Sequence, residues 1–536
     1  MGAGMVEGEA LTGVSNMLWA GDYAALGAEA CPDRAAIIVP EDGTTLTYSE
    51  LDRQVRRATY LLDCYGAYRG TRVAYLGRNR DIFFVLLMAT MRGGQILAPL
   101  NWRCHANEIA YFIRDSTPTL LFCDEELESL AQQSCDQVEN PPRKLFTRPG
   151  DRAESAFANA LAEDGETADD AIPHGETPCM LFYTSGTSGK PKGALSTHYA
   201  FSVMRHMEVV APDFPAWQDE VSLSGMPLFH IAGTTWPMMG LMRRCTVVLT
   251  SDPSAPNLIK LIAEYQASRT FAVPTVIREI VREVRATGAL LPTLRMFLYG
   301  AMPIGETLLR DAMDTLGCEF LQYYGMTEAT GSVTFLAPRY HNLESPELMQ
   351  SVGRIFPGSA LDVRDADGNS LPTGEPGELT IQSPTLMACY WGKPEATAEA
   401  MRDGWYHSGD GGYVDADGFV YLTDRIKDMI VSGGENIYPV QVEDALRQHP
   451  SIQDVVVVGR PDERWGEAVV ALVELKPGQQ LDEQDVIAFC KTRIASYKTP
   501  KAIVVVASLP RTASGKLQRA QARKDYLATM DAPTAA

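Results

Sequence analysis

Short apolar runs alternate along the chain with stretches of helical period, and Gly and Pro punctuate both, which predicts α/β layering. Val73–Leu76 predicts a strand, Asp81–Met91 an apolar-faced helix and Leu120–Cys123 a buried strand. Met180–Tyr183 predicts a strand running into a polar, Gly-rich loop, and Val247–Leu249, Phe271–Val273 and Met296–Tyr299 predict further core strands. The stretch 125–178 is the least core-like; it holds Pro141-Pro142, Pro149-Gly150 and an acidic run at 163–166, so much of it reads as surface. The pattern shifts after Asp424. Val455–Val458, Ala468–Leu475 and Ala502–Val506 then predict strands, and Pro439–Gln448 and Asp482–Ile494 predict helices. Together they make a second unit on the order of 100 residues, an ordinary small-domain size. The expected division is 1–424, a junction at 425–428, and 429–536, with no internal repeat. The most prominent apolar run, Ile82–Ala89, is far short of a bilayer span.

Composition narrows the class. The chain has 536 residues, 45% hydrophobic and 21% charged, which excludes a mostly disordered, collagenous or membrane-spanning protein. Lys and Arg number 47 against 68 Asp and Glu, a net charge of −21. A surface this acidic repels nucleic acid and anionic lipid, so neither is expected as a partner, nor is integral membrane association. A phosphate-bearing ligand therefore needs a local cationic site. The ten cysteines are scattered without a CxxC, which argues against zinc or a disulfide framework and for a reduced, cytoplasmic compartment. Met1–Met17 has no basic n-region and apolar h-region, so it does not read as a signal peptide.

The sharpest chemical feature is Tyr183-Thr184-Ser185-Gly186-Thr187-Ser188-Gly189-Lys190-Pro191-Lys192-Gly193. Small residues let backbone N–H groups approach an anion, hydroxyls add donors and two lysines add charge, so the loop is a phosphate cradle. It is not a Walker A loop, because Pro191 follows Lys190 where Ser or Thr is required.

This string resembles the phosphate loop of the adenylate-forming superfamily, whose members include acyl- and aryl-CoA synthetases, peptide-synthetase adenylation domains and luciferases. The resemblance runs from Leu46-Thr47-Tyr48 to Lys516, with further motifs in the family order. It implies a large multi-subdomain N-terminal α/β domain with a small mobile α+β C-terminal domain. In Tyr323-Tyr324-Gly325-Met326-Thr327-Glu328 it implies that Tyr324 stacks on adenine, Thr327 meets phosphate and Glu328 holds Mg²⁺, with Gly325 and Met326 beside them. Gly300-Ala301-Met302-Pro303 resembles the segment lying along the adenine, and Asp410, ending Gly404–Asp410, the acceptor of both ribose hydroxyls. Arg425 matches a ribose and phosphate contact and Lys427 the hinge. Ser432, Gly433 and Gly434 match the pantetheine tunnel; Trp465, Tyr497 and Lys498 match CoA contacts. Pro510–Arg519 matches the catalytic-lysine motif around Lys516, and Pro227–Gly233 the acyl-pocket motif around His230.

The resemblance implies carboxylate attack on MgATP, giving acyl-AMP and pyrophosphate, then attack by the CoA thiol. Thr184, His230, Glu328 and Lys516 are the implied catalytic residues. Thr184 to Lys190 (Ser185, Gly186, Thr187, Ser188, Gly189 between them), Gly300, Ala301, Met302, Tyr324 to Thr327, Asp410, Arg425 and Lys516 are the implied nucleotide contacts. The acyl pocket falls to His230, Thr234, Trp236, Gly325 and Thr330, with Val273 and Val333 nearby, a mostly apolar set lacking an evident partner for an α-amino group. The expected substrate is an apolar carboxylic acid, with the chain most like bacterial medium- or long-chain fatty-acyl-CoA ligases of fatty acid metabolism. The alternatives are an aryl or alicyclic acid, a carrier-protein thiol as acceptor, and a nucleotide-binding regulator without activity. A homodimer is the assembly this reading allows.

Overall fold

The protein is represented by a computed structural model that describes residues 18–168, 175–184, 191–218, 220–302, 304–344, 346–425, 428, 430–432, 435–437, 439–462, 465–494, 496–511 and 517–531. Strands Ala35–Val39, Thr246–Leu249, Val221–Ser224, Arg269–Ala272, Met296–Gly300 and Glu319–Met326 lie side by side in parallel, forming the middle of a nine-stranded sheet. Antiparallel strands close both of its edges, Thr44–Thr47 on one side and Gly331–Leu336 with Arg354–Ile355 on the other. A seven-stranded sheet has a parallel centre that includes Arg72–Leu76, Ile96–Pro99 and Leu120–Cys123. Strands covered on both faces read as unbroken apolar runs. This is why Leu120–Cys123, buried at all four positions, is legible without alternation.

The helix Asp81–Gly93 differs from its expectation. It is buried at every position from Asp81 to Met91 rather than along one face. It sits in a core shared by Val73, Phe122 and Met180 of one sheet and Ile37 and Val247 of the other, so both sides are apolar. The stretch 125–178 is also less superficial than its composition suggests. Arg143–Phe146 is a parallel strand beside Leu120–Cys123, with Leu145 and Phe146 buried, and Ala156–Ala162 is a helix that buries Phe157. A four-residue edge strand is too short to show a period.

A third, antiparallel sheet runs to Arg425 and includes Gly377–Gln382, Trp405–Val414 and Val420–Arg425. The next strand, Ile430–Ser432, pairs into a different sheet with Glu435–Ile437 and Gly466–Leu475, which pairs in turn with Ile452–Asp462 and Ala502–Val505. That sheet packs its own core, with Val442, Leu446, Val455, Val469 and Val486 buried together. The sequence pattern did not anticipate the terminal helix Arg519–Asp531. All ten cysteines are unpaired. No described helix is long and apolar enough to cross a membrane.

Candidate functional site

The Gly-rich loop joins strand Pro178–Thr184 (β1) to antiparallel strand Lys192–Thr197 (β2). Ser185 to Lys190 lie outside the described residues, but both ends of the hairpin are anchored. Thr184 Oγ1 donates to the Lys192 carbonyl at 3.3 Å. Helix Ala106–Ser116 (α1) ties down both stems: Tyr183 Oη donates to Asp115 Oδ2 at 2.8 Å, and Tyr111 Oη donates to the Pro191 carbonyl at 2.8 Å. Lys393 Nζ reaches the other Asp115 oxygen at 2.7 Å.

Strand Glu319–Met326 (β3) carries Tyr324 to its C-terminal end, the usual place for ligands in a parallel sheet. Its hydroxyl donates to Asp410 Oδ2 at 2.8 Å, joining two motifs 86 positions apart in the chain. Asp410 lies on strand Trp405–Val414 (β4) directly opposite Arg425 of Val420–Arg425, and its backbone N–H donates to Ser408 Oγ at 3.0 Å. The Arg425 side chain is outside the described residues. Thr327–Ala329 forms one 3₁₀ turn after β3 that buries Glu328, while Thr327 stays half-buried.

Glu328 Oε1 accepts from Tyr390 Oη at 2.8 Å, and its carbonyl accepts from the Met387 N–H at 2.7 Å. Strand Cys389–Tyr390 pairs with β2, and Lys192 Nζ lies 4.9 Å from the Tyr390 ring centre. Contacts thus run unbroken from the hairpin to Glu328. Burial, with the Glu328 carboxylate beside it, pushes the Tyr390 phenol well up, so it remains a donor; burial and Glu328 do the same to Tyr406. Tyr390 was not found by motif reading, and its one signal is the short apolar segment that closes the sheet edge, whereas Tyr406 lies inside the Gly404–Asp410 motif without having been given a role.

Backbone shape supports close ligand approach. A Cβ on Gly325 would lie 2.0 Å from the Gly331 carbonyl oxygen, so the bulge there admits glycine alone. Ala301 follows strand Met296–Gly300 with φ of 64°, and Thr330 has φ of 52°. A left-handed conformation costs a non-glycine residue about 1–2 kcal/mol. Thr330 is fully buried, its Oγ1 held 3.0 Å from Ser196 Oγ. Met302 is half-buried, and Pro303 is outside the described residues.

His230 is the N-cap position of helix Ile231–Met242 (α3). Its Nε2 is buried and has no hydrogen-bond partner among the described residues. Burial, aided by the Arg103 charge, lowers its pKa to about 4, so the ring is neutral near pH 7. The polar atoms of two other expected pocket residues are spent within the protein. Thr234 Oγ1 donates to the Leu228 carbonyl at 2.8 Å, and Trp236 Nε1 donates to the Leu223 carbonyl at 3.1 Å while its ring stacks on Trp217. Sequence reading found no charge near this end, yet helix His198–Val210 (α2) brings in Arg205 and Glu208, both almost fully buried. Their signal is an i, i+3 charged pair beside the apolar positions Phe201, Met204 and Met207.

Of the C-terminal candidates, Ser432 is buried and pairs with Glu435 and Gly466. Lys501 Nζ lies 5.2 Å from the Trp465 ring centre, and Lys498 Nζ donates to Gln441 Oε1 at 2.7 Å. Lys427, Gly433, Gly434, Lys516 and the Tyr497 side chain are outside the described residues. No group of three or more His, Cys, Asp and Glu among the described residues could hold a metal ion. The lone Glu328 carboxylate instead suits Mg²⁺ brought by a nucleotide, since that ion takes few carboxylates and keeps phosphate and water oxygens.

Comparison with known proteins accords with this arrangement. Residues 25–391 match the family described as AMP-binding enzyme, and residues 441–516 match the AMP-binding enzyme C-terminal domain. The chain is 37% identical over 489 residues to the fatty acid–[acyl-carrier-protein] ligase ScoC of Streptomyces coeruleorubidus, covering 90% of this chain and 92% of that protein. It is 37% identical over 499 residues to a feruloyl-CoA synthase of Amycolatopsis sp., covering 92% and 96%. The crystal structure of ATP-bound MatB from Rhodopseudomonas palustris superposes with a TM-score of 0.84 at 28% identity, covering 95% of this chain and 99% of that one.

Proposed function

The chain belongs to the AMP-binding enzyme family, and from that premise we propose that it activates an apolar carboxylic acid, a fatty acid in the first instance, and passes the acyl group to CoA. As an AMP-forming acid–CoA ligase it takes ATP and CoA as substrates. A carboxylate resists nucleophiles because of its charge and resonance. Its oxygen therefore attacks the α-phosphorus, the bond to pyrophosphate breaks, and the AMP of the mixed anhydride becomes a leaving group for the CoA thiol. No covalent enzyme intermediate is needed, so catalysis is mainly positioning and charge stabilisation.

In this reading the hairpin donors Thr184 to Lys190 hold the phosphates with Thr327, while Tyr324 faces the adenine alongside Gly300 to Met302. Asp410 accepts from the ribose hydroxyls with Arg425 beside it. Glu328, aimed by Tyr390, is the residue that would hold Mg²⁺, whose charge offsets that of the phosphates. His230 borders the acyl pocket as a neutral ring. Lys516 serves the first step, and Ser432 to Gly434 with Trp465, Tyr497 and Lys498 serve the second, after the 429–536 unit turns about Lys427 within 425–428. A cytoplasmic location belongs to the same reading. The observation that carries it is the unbroken contact path from Lys192 through Tyr390 to Glu328, with Tyr324 bonded to Asp410 four residues before Glu328.

Two refinements have specific support. An aryl acid is favoured by the flat side chains gathered near α3, where Trp217, Trp236, Phe271 and Tyr323 share one core, and by the feruloyl-CoA synthase relative. A carrier-protein thiol is favoured as acceptor by the ScoC relative alone. The test is AMP release from ATP and Mg²⁺ with a panel of fatty, aryl and amino acids, with CoA or a carrier protein. Release with an apolar acid and CoA is expected; an ADP product, or turnover confined to amino acids, overturns the reading.

A further inference from the structure

A buried charged cluster adjoins the segments expected to line the acyl pocket. Arg205 and Glu208 are 2% and 1% exposed. Arg205 Nη1 donates to the Thr235 carbonyl of α3 at 3.0 Å, and its Nη2 lies 3.4 Å from Glu208 Oε1. The same Nη2 is 3.7 Å from where a Cβ on Gly331 would be. Glu208 Oε1 also accepts from Tyr323 Oη at 3.3 Å. The cluster therefore adjoins α3 five residues past His230, the residue before Tyr324, and Gly331, whose carbonyl crowds the Cβ position of Gly325.

Its hydrogen bonding is incomplete. Glu208 Oε2, Arg205 Nε, Tyr23 Oη, and Arg243 Nε and Nη2 are buried with no hydrogen-bond partner among the described residues. A buried polar atom left unpaired costs about 1–3 kcal/mol, more when charged, and native proteins seldom leave several together. One acceptor with several donors around it, beside the Phe214 and Trp217 rings over which Arg243 lies, asks for a group that both donates and accepts. A hydroxyl does this: it gives its proton to Glu208 Oε2 and accepts from a guanidinium N–H. A carboxylate satisfies the guanidiniums alone and meets Glu208 as a like charge. Burial pushes the Glu208 carboxyl upward against the pull of Arg205 and Arg243, and a hydroxyl suits the protonated form too.

Resting on the function proposed above, we infer that the acid carries a neutral hydroxyl at the end remote from its carboxylate, and that Glu208 with Arg205 selects for it. A phenol and an aliphatic ω-hydroxyl share this chemistry. Matched pairs separate them: 4-hydroxycinnamic against cinnamic acid, and 10-hydroxydecanoic against decanoic acid, with decanedioic acid as the doubly charged control. The wild-type protein should prefer the hydroxylated member of one pair by at least about tenfold in kcat/KM, the equivalent of ~1.4 kcal/mol. The pair showing it identifies the source.

In the neutral double variant R205M/E208L, which leaves no unpaired charge of this pair, that ratio should fall toward one. A merely structural pair would change both members alike and leave the ratio where it was. Equal use of both members in both pairs by the wild type overturns the inference, and means that ordered water pairs the cluster's polar atoms. Preference for decanedioic acid, or a ratio that survives the double variant, also overturns it. If the double variant does not fold, the wild-type pairs still decide. No AMP release with any acid tested fails the proposed function itself.

Discussion

On the nucleotide side, the polar side chains already hold one another: Tyr324 bonds Asp410, Tyr390 bonds Glu328, and Asp115 and Tyr111 brace both stems of the loop hairpin. On the acid side, His230 Nε2, Glu208 Oε2 and Arg205 Nε are buried without partners among the described residues. The polar groups of the first half are paired in advance; those of the second are buried with unfilled hydrogen-bonding capacity. A ligand entering the first exchanges its own hydration for a frame that needs little rearrangement. A ligand entering the second completes a set of bonds, so its terminal group is read with more discrimination, because a missing donor leaves a buried group unpaired.

The largest effect that sharpens this comparison lies in neither half but between them. Lys516→Ala removes a cation expected at the charge developing between carboxylate and α-phosphate, which costs on the order of 10²–10³ in rate. Acid-dependent ATP–pyrophosphate exchange should fall by that factor, while supplied acyl-AMP and CoA should still give thioester. Equal loss in both half-reactions breaks the alternating-domain part of the reading.

Asp410→Ala comes next. A carboxylate bonded to two ribose hydroxyls contributes about 1.5–3 kcal/mol per bond, so ATP use should weaken at least about tenfold in a folded protein. The hydroxyl-to-deoxy ratio of the acid pairs should not move, and movement would mean that the two halves are not independent. Tyr390→Phe deletes one hydrogen bond to Glu328, about 1 kcal/mol, so roughly a fivefold rise in KM for MgATP is expected, measured across a Mg²⁺ titration. An unchanged KM removes Tyr390 from the positioning of Glu328.

The smallest expected effect concerns His230. Its pKa is about 4 in the folded protein against the usual ~6.5, so between those values the unfolded chain binds the proton first. Stability should be full above pH ~6.5 and should fall as pH drops toward ~4. His230→Gln should lessen that fall in denaturant melts at pH 7 and pH 5, though His341, held at about 4 by its own burial, keeps part of it. An unchanged acid sensitivity would mean that the His230 ring is hydrated.

Much of the fold was legible because short-range pattern carried it. Leu120–Cys123, Met296–Tyr299 and Ala468–Leu475 are largely apolar runs of strand length, and each lies in a strand. The helix 81–93 was located, but its all-round burial was not, because sequence does not say that two sheets will enclose it. The 143–146 strand was missed because four residues at a sheet edge have no resolvable period.

By itself the sequence marked out the proposed nucleotide side: a dense string of small residues, hydroxyls and lysines, and short strings ending in Glu328 and Asp410, would hold a ligand largely with backbone and near neighbours, so contiguity preserves the chemistry. On the proposed acid side the sequence named His230, Thr234 and Trp236, but tertiary structure alone decided the charged cluster. Arg205, Glu208, Thr235, Tyr323 and Gly331 are scattered over more than a hundred positions, and only the packing of α2 against α3 and β3 brings them together. On an isolated helix Arg205 and Glu208 are an ordinary solvated pair; buried by that packing they acquire the selectivity we infer, because the cost of an unpaired charge arises only where water has been excluded.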